Sequence, residues 1–129
     1  MKITRMNHVA YNVAGLVGEA REFYTKLLGL PEIPIQLGRG EPVVGSPMGV
    51  WLQQNGVQMH LIGLQRTGEV REPTNTHVSW YVADLAQAIA EIRAAGLEMR
   101  EMTGDFGHIV WIADPAGNTI ELQQDPATA

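Results

Sequence analysis

"NHVAYNVAGL" at residues 7–16 is answered by "THVSWYVADL" at residues 76–85. Aligned at an offset of 69, the two phrases match His8 with His77, Val13 with Val82, Ala14 with Ala83 and Leu16 with Leu85. Each opens on a histidine and a strand-like run. Each then passes into a segment with apolar residues at helical spacing: Leu16, Ala20, Phe23 and Leu27 in the first, Leu85, Ile89 and Ile92 in the second. Glycines placed to end these helices follow at Gly29 and Gly96, and Asp84 is a fitting amino-terminal cap for the second.

The match resumes downstream at an offset of 61, where "NGVQMHLI" lies beside "AGNTIELQ" and His60 falls on Glu121. Between these ends lie strand-like pieces, "EIPIQL" and "MGVWLQ" in the first copy, "LEMREM" and "GHIVWIA" in the second. Asn55-Gly56 and the "DPAGN" beginning at Asp114 are turn chemistry that folds the last two strands of each copy into hairpins. The expected order is strand, helix, strand, strand, strand, written twice. Module one spans about 1–66 and module two about 76–124, joined by a polar connection over about 67–75 that has no apolar period. A lone core in a chain of roughly sixty residues is marginal, so the copies are expected to pack as a pair within one domain, 1–129.

The bulk composition narrows the function. An apolar fraction of 45% suits a packed globular core, and no apolar run is long enough to span a membrane. The first residues lack an export pattern, so a soluble cytoplasmic protein is expected. Nine Lys and Arg against fourteen Asp and Glu give a formal charge of −5, and the scattered basic residues argue against a nucleic-acid partner. With no cysteine, a metal must be held by His, Asp, Glu or backbone oxygen.

Strand alternation puts Met6, Ala10 and Asn12 on the His8 face, Ser79 and Tyr81 on the His77 face, and Thr119 and Gln123 on the Glu121 face. The opposite faces carry Val9, Tyr11, Val78, Trp80, Ile120 and Leu122, suited to packing against helices. An approximate twofold relation between the copies sets His8 opposite His77 and His60 opposite Glu121. Packing does not require three histidines and a carboxylate in matched slots of a repeat; a metal site does. His108 has no histidine counterpart and reads as a surface or cavity-mouth residue, while Trp51 and Trp111 read as core or pocket wall.

These residues resemble the vicinal oxygen chelate superfamily, the glyoxalase, bleomycin resistance protein and extradiol dioxygenase group. "FYTKLLGL" and "DPAGNTIEL" carry the likeness most specifically, and it extends over nearly the whole chain. The resemblance implies an α+β, glyoxalase-like fold in which two paired βαβββ modules form a cupped eight-stranded mixed sheet around a divalent metal, frequently in a homodimer that shares its sites. By position, His8, His77 and Glu121 match the family's common metal triad, and His60 the fourth ligand or base. His60 departs from the Glu common in glyoxalase I and the Gln of the epimerases. Ala10, and the absence of a basic residue after Arg100, depart from the fosfomycin transferases.

The donor set suits Zn, Ni, Co, Mn or Fe(II). The main expectation is a lyase or isomerase acting on a small oxygenated substrate, in which the metal stabilises an enediolate or enolate and His60 or Glu121 moves the proton. His8, His77 and Glu121 also make the two-histidine, one-carboxylate set of a non-haem Fe(II) dioxygenase, with His60 as acid and base. A third reading is a metal-free small-molecule binding protein. Arg5, Arg39 and Arg100 are candidates for a pocket mouth, and the Gly- and Pro-rich loop from Leu37 to Pro47 for its border.

Overall fold

The computed structural model describes residues 1, 2, 4, 8–34, 44, 45, 47, 49–63, 77–104 and 107–128. The connection at 67–75, Met6, Arg5, Arg39 and most of the 37–47 loop lie outside these residues. The chain divides into two compact units, Met1–Thr67 and Gly68–Ala129. Both have the expected βαβββ order.

In the first unit, β1 (Val9–Asn12) leads through a tight turn into α1 (Val17–Glu22), which continues as a π-helical turn over Phe23–Leu27. Strands β2 (Glu32–Ile33), β3 (Gly49–Gln54) and β4 (Val57–Ile62) follow. The sheet order is β1-β4-β3-β2, with β1 parallel to β4 and the other pairs antiparallel. Of the piece "EIPIQL", the strand Glu32–Ile33 falls among the described residues. Alternation along β3 and β4 is strict: Val50, Leu52, Met59 and Leu61 are fully buried on one face, whereas Trp51 and His60 on the other are half-buried. Each of those apolar side chains contributes about 1.5–3 kcal/mol on leaving water.

The first helix differs from its expected stripe. Asn12 Oδ1 accepts the Ala14 N–H at 2.8 Å, and the chain turns through left-handed Ala14 and Gly15, so the helix starts only after Leu16. Leu16 is consequently exposed, and Val17, Ala20, Phe23 and Tyr24 form the buried face. The wider π-helical turn, closed by Leu28 N–H on the Phe23 carbonyl at 3.1 Å, rephases the end of the helix and carries Tyr24 fully inside.

The second unit contains β5 (Val78–Val82), α2 (Leu85–Ala94), β6 (Met99–Gly104), β7 (Gly107–Ala113) and β8 (Thr119–Gln124), in the sheet order β5-β8-β7-β6. Again the first strand pairs in parallel with the last. Asp84 caps α2 by accepting the Gln87 N–H at 3.0 Å, and Leu85, Ile89 and Ile92 are buried as their spacing requires. Both helices end near the expected glycines, at φ +67° for Gly29 and +70° for Gly96.

Two different turns close the hairpins. Asn55 and Gly56, both at positive φ, make the two-residue turn between β3 and β4. Between β7 and β8, Asp114 Oδ1 accepts N–H groups from Ala116 at 2.9 Å and Asn118 at 2.8 Å, closing a longer loop. No helix among the described residues is long and apolar enough to cross a membrane.

Candidate metal centre

The parallel pairing of first and last strand places the candidate ligands of each unit side by side. In the second unit, register sets Ser79 beside Glu121 and Glu121 beside Trp111, with His77 just ahead of β5 on the same face. His77 Nε2 lies 3.0 Å from Glu121 Oε2. The same oxygen accepts the Trp111 indole N–H at 2.9 Å. The other oxygen, Oε1, accepts from Ser79 Oγ at 3.0 Å and Gln123 Nε2 at 2.6 Å. Burial pushes the Glu121 carboxyl up, but the hydrogen bonds from Gln123, Ser79 and Trp111, with His77 nearby, more than offset it and hold it below the ordinary carboxylate value. Glu121 is therefore a buried, ionised carboxylate whose oxygens are fixed in place.

In the first unit, register sets Ala10 beside His60 and His60 beside Trp51. The His8 and His60 rings lie 6.1 Å apart, inclined at 72°. Trp51 stacks on His60 at 4.4 Å with 13° between the planes, and meets the edge of His8 at 4.9 Å. Burial, and secondarily the proximity of His8, lowers the His60 pKa, so the ring is neutral at neutral pH. Gly49 lies close to the neighbouring strand: a Cβ there would clash with the Leu61 carbonyl oxygen at 2.7 Å and stand at ordinary contact distance, 3.4 Å, from His60 Nε2.

The four candidate ligands thus gather as two pairs, His8 with His60 and His77 with Glu121. Among the described residues no group of three or more His, Cys, Asp and Glu forms within metal-holding distance. The donors themselves fit a divalent ion. Two imidazoles stand in one unit; in the other an imidazole and an ionised carboxylate are already in contact, with the carboxylate oriented by neighbours as metal ligands usually are. His108 is a half-exposed partner of Glu101, Nε2 to Oε2 2.8 Å, well separated in register from Glu121.

The sequence pattern puts Ser79 and Gln123 on the face that meets Glu121 but does not show their hydrogen bonds, and it gives both tryptophans as core or pocket wall without their contacts to site residues. The signal was present in the repeat: Trp51 and Trp111 occupy matching strands, and only the ladder register reveals that each faces a site residue.

Two βαβββ modules, each bringing its outer-strand histidine beside a residue on its last strand, define a protein of the glyoxalase fold class. The chain belongs to the Glyoxalase/Bleomycin resistance protein/Dioxygenase superfamily, whose model matches residues 5–122. The fold is similar to that of a glyoxalase family protein from Bacillus anthracis, with 24% identity, TM-score 0.75 and coverage of 97% of this chain and 98% of that one. It is also similar to lactoylglutathione lyase from Agrobacterium tumefaciens, at 18% identity, TM-score 0.68 and 97% of each chain. A variant of the fosfomycin resistance protein FosX from Listeria monocytogenes, complexed with Mn(II) and a dihydroxypropylphosphonic acid, aligns at 16% identity and TM-score 0.72, covering 95% of this chain and 93% of that one. No curated protein matches the sequence.

Proposed function

We propose that this chain is a divalent-metal-dependent enzyme, a glyoxalase-like lyase or isomerase acting on a small oxygenated substrate. The observation that carries the reading is the His77–Glu121 contact, with its carboxylate held ionised and oriented, repeated in position by His8 and His60 in the first unit. His8, His77 and Glu121 would hold the ion, with His60 as fourth ligand or base, in a homodimer of this chain. The bound ion supplies Lewis acidity toward oxygens on adjacent carbons of the substrate.

The chain's own residues do the rest. His60, neutral by burial, takes the proton from the hydroxyl-bearing carbon next to a carbonyl onto a ring nitrogen; the C–H pair becomes a C=C bond as the carbonyl π pair moves to its oxygen, and the same nitrogen then returns the proton to the former carbonyl carbon while the hydroxyl proton passes from the first oxygen to the second. Ser79, Gln123 and Trp111 keep Glu121 in one rotamer throughout. Trp51, flat against His60, confines the base to one plane. A second reading keeps the same three ligands, His8, His77 and Glu121, as the set of an Fe(II) dioxygenase, with His60 as acid and base.

Elemental analysis of anaerobically purified protein, with oxygen uptake on a catechol panel, tests the proposal. We expect roughly one equivalent of divalent metal per chain, lost on changing His8, His77 or Glu121 to Ala and retained in His108→Ala. Zinc, nickel, cobalt or manganese without oxygen uptake supports proton transfer, and iron with uptake supports the oxygenase. Folded protein that takes up no metal overturns both and leaves the metal-free binding role.

A further inference from the structure

Each unit sets one tryptophan directly across the hairpin from its last-strand site residue: Trp51 opposite His60 and Trp111 opposite Glu121. The two indoles behave differently. Trp111 Nε1 donates to Glu121 Oε2 at 2.9 Å. Trp51 instead lies flat on His60, and its Nε1, like that of Trp80, is buried with no partner among the described residues. A buried indole N–H ordinarily finds an acceptor, and leaving one unpaired is costly. Because the two tryptophans share a ladder position, the second unit shows which acceptor that position can offer, an oxygen on the side chain across the hairpin.

We propose that Trp51 and Trp111 are equivalent positioning residues, each fixing the side chain opposite, and that Trp51 Nε1 would take an acceptor oxygen placed at position 60 as Trp111 Nε1 takes Glu121. Trp111 works by hydrogen bond and Trp51 by stacking, since an imidazole presents its ring to the indole where a carboxylate would present oxygen. The indole geometry belongs to the hairpins; its effect on metal affinity rests on the reading proposed above.

The test follows the three indole N–H signals by NMR in protein labelled at tryptophan nitrogen, assigned by single Trp→Phe changes. In metal-free protein, His60→Glu should move the Trp51 signal and slow its hydrogen exchange about tenfold or more, because exchange reports whether the N–H is bonded. His60→Gln should act in the same direction and decides the matter if the Glu variant does not fold. Glu121→Ala should speed exchange of Trp111 by a similar factor. Trp80, on the opposite face of its strand, should stay constant throughout. A Trp51 signal unmoved by His60→Glu and His60→Gln in folded protein overturns the proposal. In a second arm, Co(II) titration of Trp111→Phe should show affinity about 10- to 100-fold weaker than wild type, as for other groups that orient a ligand. Wild-type affinity retained in Trp111→Phe overturns the positioning role. Absence of Co(II) binding to wild type overturns the metal reading while the exchange results still decide the indole geometry.

Discussion

The β3–β4 and β7–β8 hairpins are copies of one element with opposite solutions at the same point. In β7–β8 a carboxylate is buried under hydrogen bonds from Ser79, Gln123 and Trp111 and in contact with His77. In β3–β4 a half-buried imidazole is held by ring contacts with Trp51 and His8, and the indole N–H goes unused. The difference shows that one backbone can present either a fixed anion or a neutral base, provided the residues beside it change too. Gly49 against Ile109 is the clearest such change, and the predictions begin there.

Ile109 is buried where its counterpart has no side chain at all. Ile109→Ala should therefore leave a cavity and cost roughly 2–5 kcal/mol of stability, the usual range for such truncations. The reciprocal change, Gly49→Ala, adds a methyl group 2.7 Å from the Leu61 carbonyl oxygen, a backbone atom that moves only if the β3–β4 ladder moves. We expect a loss of about 1–3 kcal/mol from this overpacking. Urea denaturation of both variants measures the two effects. A Gly49→Ala variant as stable as wild type would mean that the ladder yields freely at the Leu61 carbonyl.

The turns are the next contrast. Asp114 is buried and its carboxylate accepts from Ala116, Asn118 and the Asn118 side chain, so Asp114→Ala strands backbone donors at the β7–β8 turn. A destabilisation of about 1–3 kcal/mol is expected in thermal or urea melts. Asp114→Asn should recover part of it, because the amide oxygen can still accept at one position.

Much of this organisation was readable from the residues. The βαβββ order, the Asp84 cap, the glycine helix ends and both hairpin turns rest on local chemistry that a sequence displays directly. The candidate ligands were also visible, because a repeat exposes matched positions without needing coordinates. What escaped was set by geometry between strands or by helix phase. Leu16 looked like the first residue of an apolar stripe, yet the turn at Ala14 and Gly15 delays the helix past it. The tryptophan contacts depend on register, and a shift of one residue would have turned either indole to the other face. The close approach of Gly49 to the Leu61 carbonyl is likewise invisible until the two strands are paired.

The smallest expected effect lies at the β3–β4 turn, where Asn55 sits at φ +49° and Gly56 at +79°. Asparagine tolerates the left-handed region better than other residues with a Cβ, so Asn55→Ala should cost about 1–2 kcal/mol through backbone strain alone. Asn55→Gly removes that strain but gives the unfolded chain more freedom, two opposing terms of similar size. Its net effect should stay within about 0.5 kcal/mol. The pair separates backbone conformation from side-chain bonding, since among the described residues no hydrogen bond from the Asn55 side chain closes the turn as the Asp114 carboxylate closes its counterpart. If Asn55→Gly proved as damaging as Asp114→Ala, the shorter hairpin would also depend on a side-chain acceptor, and the contrast between the two turns would fail.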